Sequence, residues 1–188
     1  MTIFAAAMLD PIFIKNGNFL IHTFGPEEIQ RISSIAQDVY AIFSDEMTLK
    51  FLPQKRLQSV QQAEKLLKTN LLNFHAGKNY LHFITDELTG RVIGLIDIIS
   101  PDTAKEHYDF SQYPHFIEFY LAGANAGKLI MSKLLPVFIE VIRGQNLKQL
   151  GAVVHRHNVS SIKVLKRSGF KLEAGFDSIQ DFYKISFD

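Results

Sequence analysis

A chain of 188 residues with 47% apolar and 21% charged side chains can bury a sizeable core and lacks the composition of a disordered or membrane-spanning protein. A formal charge of +1, with no dense Lys/Arg run, excludes a dedicated nucleic-acid binder. The absence of cysteine excludes a disulfide framework, a thiolate nucleophile and a Cys-ligated metal, and suits a cytoplasmic protein.

The opening MTIFAAAML has no basic n-region and is cut off by Asp10-Pro11, so neither a signal peptide nor a membrane anchor is expected. Residues 1–10 read as a loose segment at the head of a single domain covering 1–188. Residues 12–15 and 19–24 are apolar-rich runs joined through Asn16-Gly17, which predicts a hairpin. Pro26, Glu27 and Glu28 then suit a helix start, and Ile29, Ile32, Ile35, Val39 and Ile42 follow at helical spacing as far as Ser44. Residues 49–56, with Pro53, read as a loop. Ser59 and Gln62 have capping-box order ahead of a helix that turns Val60, Ala63, Leu67, Leu71 and Phe74 inward and stops at Gly77.

The period then changes. Residues 80–85 and 92–99 are β-rich runs around a turn-forming loop, predicting a second antiparallel pair. Residues 100–114 are polar but carry Tyr108, Phe110 and Tyr113, as either a binding lid or a loop packed on a neighbour. Residues 115–121 form a strand, 122–126 a small-residue turn, and Gly127 opens a helix to about Ile142 that Pro136 should kink. With the strand at 147–154, this makes a β-α-β unit, for which parallel pairing is expected. Asn158 and Ser160 mark a turn, Ile162, Val164 and Leu165 lie on a helix ended by Ser168-Gly169, and residues 181–187 form a last strand.

The order Asn158-x-x-Ser161-x-x-Val164-Leu165-x-x-x-Gly169-Phe170 closely resembles the last block of the GNAT superfamily, the acyl-CoA-dependent N-acyltransferases. Within it, the block looks like the branch that acetylates the N-terminal amines of ribosomal proteins. Arg91-Val92-Ile93-Gly94 is similar to the family's third-strand entry, and Leu52-Pro53 to a pair frequent in this branch. The resemblance implies an α/β fold of GNAT type, with a mixed central sheet and helices on both faces. It also implies acetyl-CoA as acyl donor and transfer to a primary amine. The acceptor is a protein N-terminus or a small molecule such as a polyamine or aminoglycoside. A domain that keeps the fold and binds acyl-CoA or a partner without catalysis is the rival reading.

A pyrophosphate can be held by the N–H groups of a helix N-terminus preceded by small residues. Leu121, Ala122, Ala126, Gly127, Lys128 and Leu129 offer that arrangement. Gly127 matches the first glycine of the family's phosphate-binding pattern, whereas Ala124 and Leu129 depart from it. A nucleotide P-loop is a poor rival, since Leu129 follows Lys128 where that motif needs Ser or Thr. The resemblance implies that Asn158 meets the pantetheine arm. Lys163, Lys166 and Arg167 either meet the nucleotide phosphates or form a solvated basic face.

Transfer to an amine needs a base, an oxyanion donor and help for the leaving thiolate. Glu118 is the candidate base, equally readable as a strand acid with a salt-bridge partner; a backbone N–H near Leu121 or Ala122 is the candidate oxyanion donor. Many family members carry Tyr in the last helix where this chain has Leu165, and the resemblance makes Ser161 the general acid, unless it caps the helix. Tyr120 and Tyr183 stand in reserve. His155 and His157 share a face, but no third ligand is placed, and no metal is expected. Neither nucleic acid nor membrane is an expected partner; a homodimer is compatible with the sequence, which carries no readable code for oligomeric state.

Overall fold

The computed structural model describes residues 9–106, 108–110 and 113–187. The expectation for residues 1–8, and part of that for the segment 100–114, therefore lies outside the described residues. Eight strands form one sheet in the order β1-β2-β3-β4-β5-β6-β8-β7: β1 Phe13–Asn16, β2 Phe19–Thr23, β3 Asn79–Asp86, β4 Arg91–Ile99, β5 His115–Leu121, β6 Gln149–His155, β7 Lys171–Gly175 and β8 Gln180–Ser186. All neighbouring pairs are antiparallel except β5 and β6. The helices are α1 Ile32–Ser44, α2 Val60–His75, α3 Pro101–Ala104, α4 Ile130–Arg143 and α5 Val159–Arg167.

Strand alternation divides the core. Tyr80, Ile84, Ile96, Ile98, Ile117 and Tyr183 pack under α4 and α5, against Leu134, Phe138 and Leu165. Leu81, Phe83, Leu95 and Tyr120 pack on the other face, under α1 and α2, against Ile35, Val39 and Leu67. α1 is also fastened to the sheet by a buried carboxylate: Arg91 Nε and Nη2 donate to Asp38 Oδ1 at 2.8 and 2.6 Å, and the Val92 N–H donates to Oδ2 at 2.9 Å.

Several expectations shift. The hairpin turn is Gly17-Asn18, since Asn16 pairs with Phe19; Gly17, at φ +60°, holds the position where a primed turn needs positive φ. The segment Pro26–Arg31 is a 3₁₀ turn, whose tighter period carries Ile29 outward to 48% exposure. Ser59 caps α2 through the Gln62 N–H, but Gln62 Oε1 accepts from the Gln58 N–H instead of closing a box with Ser59. Part of the aromatic segment is α3, capped by Ser100. β7 was not expected at all. All five of its residues are exposed, so burial leaves no alternation, and pairing with β8 specifies it.

The candidate acyl-transfer site

β5 and β6 each run seven residues but pair only at His115–Leu150 and Phe116–Gly151. Beyond that point β5 follows β4 through Leu121 and β6 follows β8 through His155, so the two strands part. Gly151 sits in that short paired stretch, where side chains crowd it: a Cβ there would lie 2.7 Å from the Phe182 ring and 3.1 Å from Pro114. The gap faces the carboxyl ends of the two parallel strands, where open α/β sheets take their ligands.

Ladder alternation defines the lips of the gap. The Ala122 N–H donates to Ile93 O at 2.8 Å, so Leu121, one rung back, turns its N–H away from β4 and toward the gap. The Arg156 N–H donates to Ile179 O at 2.9 Å, which by the same alternation turns the backbone of Val153 and His155 away from β8 and toward the gap. An edge of backbone donors and acceptors inside a sheet fits an extended, amide-bearing ligand. Of the two expected oxyanion donors, the Ala122 N–H is committed to Ile93 and the Leu121 N–H is the one aimed at the gap.

The loop at 122–129 follows β5. It holds a 3₁₀ turn at Gly123–Asn125, and α4 begins at Ile130, three residues later than Gly127 predicts. Gly127, at φ +75°, and Leu129, at φ +59°, are both left-handed, which delays the helix. Leu129 stands at the N-cap without a capping side chain, so the first N–H groups of α4 point into the loop. A Cβ on Gly127 would meet nothing within 4 Å, whereas one on Gly123 would lie 2.6 Å from Asp45 Oδ1; the loop is open at Gly127 and closed at Gly123. Lys128 Nζ donates to Asn125 Oδ1 at 3.3 Å, and the exposed Lys163, Lys166 and Arg167 lie on α5, which packs against α4. Donors, dipole and cations together fit a pyrophosphate.

Across the gap, Asn158 Oδ1 caps α5 by accepting from the Ser161 N–H at 3.2 Å. Ser161 lies half-buried in the first turn of α5 and is not its cap. Tyr183 is buried in the core under α4 and α5, and burial raises its phenol above the ordinary value. The rings of His155 and His157 are 5.3 Å apart, and among the described residues they belong to no group of three potential metal ligands.

The chemistry-bearing groups converge on the α1/α2 face of β4 and β5. Glu118 Oε2 accepts from Lys55 Nζ at 2.8 Å and from the Tyr120 hydroxyl at 2.8 Å. Asp97 lies directly opposite Glu118 on the ladder and accepts from Asn79 Nδ2 at 3.1 and 2.9 Å; that amide also donates to Asn70 Oδ1. Burial and then the neighbouring Glu118 push the Asp97 carboxyl up to about 7. Burial and the Glu118 carboxylate raise the Tyr120 phenol well above its usual value, so it stays a donor. Tyr108, Phe110, Phe116, Phe176 and Phe182 pack together on this side, and burial followed by Glu118 raises the Tyr108 phenol as well.

Asp97 and Lys55 were not among the predicted site residues. Asp97 had a signal, a lone carboxylate in the apolar run of β4. Lys55 had none, because its partner lies 63 residues away.

The GNAT acetyltransferase domain family matches residues 31–171. No curated protein matches by sequence. Among solved structures, the ribosomal-protein-S5-alanine acetyltransferase of Vibrio fischeri superposes with a TM-score of 0.69 at 15% identity, covering 94% of this chain and 97% of that one. The spermidine N-acetyltransferase of Vibrio cholerae, solved with CoA and spermine, gives 0.68 at 12% identity over 92% and 97%. The microcin C7 self-immunity acetyltransferase, solved with acetyl-CoA and AMP, gives 0.69 at 16% identity over 96% and 99%. The family match over three-quarters of its length places this chain among the GNAT acetyltransferases, acetyl-CoA-dependent acyltransferases.

Proposed function

We propose that acetyl-CoA lies in the gap between β5 and β6, with its pyrophosphate on the loop at 122–129 and its pantetheine arm along the backbone of Leu121 and Val153 and past Asn158. The acceptor is a primary amine whose ammonium approaches Glu118 from the α1/α2 side. The parting of β5 from β6 beside Glu118 carries this reading, because it brings a backbone edge and a carboxylate to one opening.

Glu118 takes the ammonium proton, directly or through water. The Leu121 N–H steadies the oxyanion that forms as the amine adds to the thioester carbonyl. The thiolate then leaves with a proton, for which the Ser161 hydroxyl is the proposed source. Cysteine is absent and an amide on Lys55 would be a dead end, so transfer to the acceptor is direct. Among acceptors we favour a protein N-terminal amine, because the block from Asn158 to Phe170 resembles the ribosomal-protein branch. The paired carboxyls Asp97 and Glu118 keep a small polycationic amine as the alternative. Among the described residues no helix is long and apolar enough to cross a membrane. With no cysteine to oxidise, we place the protein in the cytoplasm as a single domain.

Leu129 supports a second reading, a fold that binds acyl-CoA weakly or not at all. It puts a branched side chain, 58% exposed and left-handed, where the family has a small residue. Calorimetric titration with acetyl-CoA, run beside Gly127→Glu, separates the readings. One-site binding lost in the variant supports the transferase site and leads to an amine screen that follows free thiol. No binding to wild type removes the cofactor reading.

A further inference from the structure

Residues 48–55 lie across the mouth of the gap and touch both lips. Thr48 Oγ1 donates to Leu121 O on β5 at 3.0 Å, and the Phe51 ring centroid lies 4.8 Å from that of His155 on β6. Between these anchors and α2, the short turn Pro53–Lys55 brings Lys55 Nζ to 2.8 Å from Glu118 Oε2. Side-chain exposure is 40% for Lys55 and 20% for Glu118, so the carboxylate is sheltered while the amine stays within reach of a ligand in the gap. The Tyr120 hydroxyl fixes the same carboxylate oxygen, and Asp97 adds a second carboxyl on the next strand. A primary amine thus rests on the carboxylate that is to receive an acceptor's proton.

Resting on the reading of Glu118 as base, we propose that Lys55 is a self-acetylation site, an internal amine in the position of the external acceptor. Its nitrogen attacks the thioester carbonyl carbon, the C–N bond forms as the C–S bond breaks, and the product is Nε-acetyl-Lys55 with free CoA. Two protons leave the nitrogen: one passes through Glu118 to solvent, and the other ends on the CoA sulfur. The amide formed is neutral, so modification abolishes the ion pair that ties this segment to β5. An external amine competes for the same carboxylate, and a good acceptor suppresses the self-reaction.

The test incubates the purified full chain with acetyl-CoA and no added amine, then reads intact mass and peptide maps. The expected result is one acetyl group, on Lys55, added at a first-order rate independent of protein concentration. Lys55→Arg should lack it, and Glu118→Gln, checked for folding by circular dichroism, should slow it by at least about tenfold. Material already acetylated at Lys55 on purification supports the proposal if Glu118→Gln emerges unmodified. Acetyl groups spread over exposed lysines such as Lys128, Lys163 and Lys166, at a rate Glu118→Gln leaves unchanged, overturn it. Calorimetric binding of acetyl-CoA without labelling of Lys55 overturns the self-acetylation alone, whereas absent binding removes the cofactor reading with it.

Discussion

Asp97 and Glu118 face each other across the β4–β5 ladder, one carboxyl held by an asparagine amide and the other by a lysine and a tyrosine. Two carboxyls directly opposite on a sheet resist double ionisation. Asp97, pushed up to about 7, is the one that yields near neutral pH, while Glu118 accepts from the Lys55 ammonium and the Tyr120 hydroxyl.

Replacing Asp97 by Asn should remove its own pH-dependent contribution to stability. Because burial raises the folded value from 3.8 to about 7, the favourable contribution of Asp97 is fully present below about pH 4 and is lost as pH rises to 7. His82 and His115, lowered by burial to about 4, act in the opposite sense: their contribution is present above 6.5 and lost as pH falls. The difference between Asp97→Asn and wild type isolates Asp97. It should move in favour of the variant between pH 4 and 7, by up to about 1.4 kcal/mol per pH unit. Urea unfolding at several pH values measures it, and a constant difference would contradict the assignment.

Glu118→Gln should lower kcat by about 10²- to 10³-fold once an acceptor is found, with the dissociation constant for acetyl-CoA changed little. The amide keeps the volume and the Tyr120 contact but cannot take a proton. A loss confined to KM would instead make Glu118 a binding residue.

Asp38→Ala should destabilise the fold by about 2 kcal/mol in chemical denaturation. It strips the Val92 N–H and the Arg91 guanidinium of their shared acceptor between α1 and β4. Arg91→Lys, which loses the two-nitrogen grip and leaves the backbone bond, should cost less. Equal costs would mean that the backbone bond contributes nothing.

Leu129→Gly should bind acetyl-CoA more tightly than wild type and unfold at a higher temperature. Glycine relieves a left-handed strain of about 1 kcal/mol and removes a side chain from the loop ahead of α4. Calorimetry and a thermal melt read the two effects separately. Weaker binding would place the Leu129 side chain among the ligand contacts.

Much of the fold was legible because its elements have strong local causes. Val39 and Ile42 mark the buried face of α1, Asn158 turns the chain into α5, and Gly169, at φ +92°, ends it. Elements without such causes were missed or displaced. β7 exposes all five residues and exists by pairing with β8, and the start of α4 moved because Leu129 takes a conformation that its residue type does not announce.

For the site, the sequence by itself determined the elements that carry it: a strand with Glu118, a small-residue loop before a helix, and a turn at Asn158 into a helix after a second strand. Only the tertiary structure decided that β5 and β6 part after one short stretch of pairing, that Asp97 stands opposite Glu118, and that Lys55 reaches Glu118 from 63 residues away. The reason is physical. Caps, turns and periodicity act within a few residues and leave their trace in local order, whereas ladder register and long-range ion pairs are set by how whole elements pack.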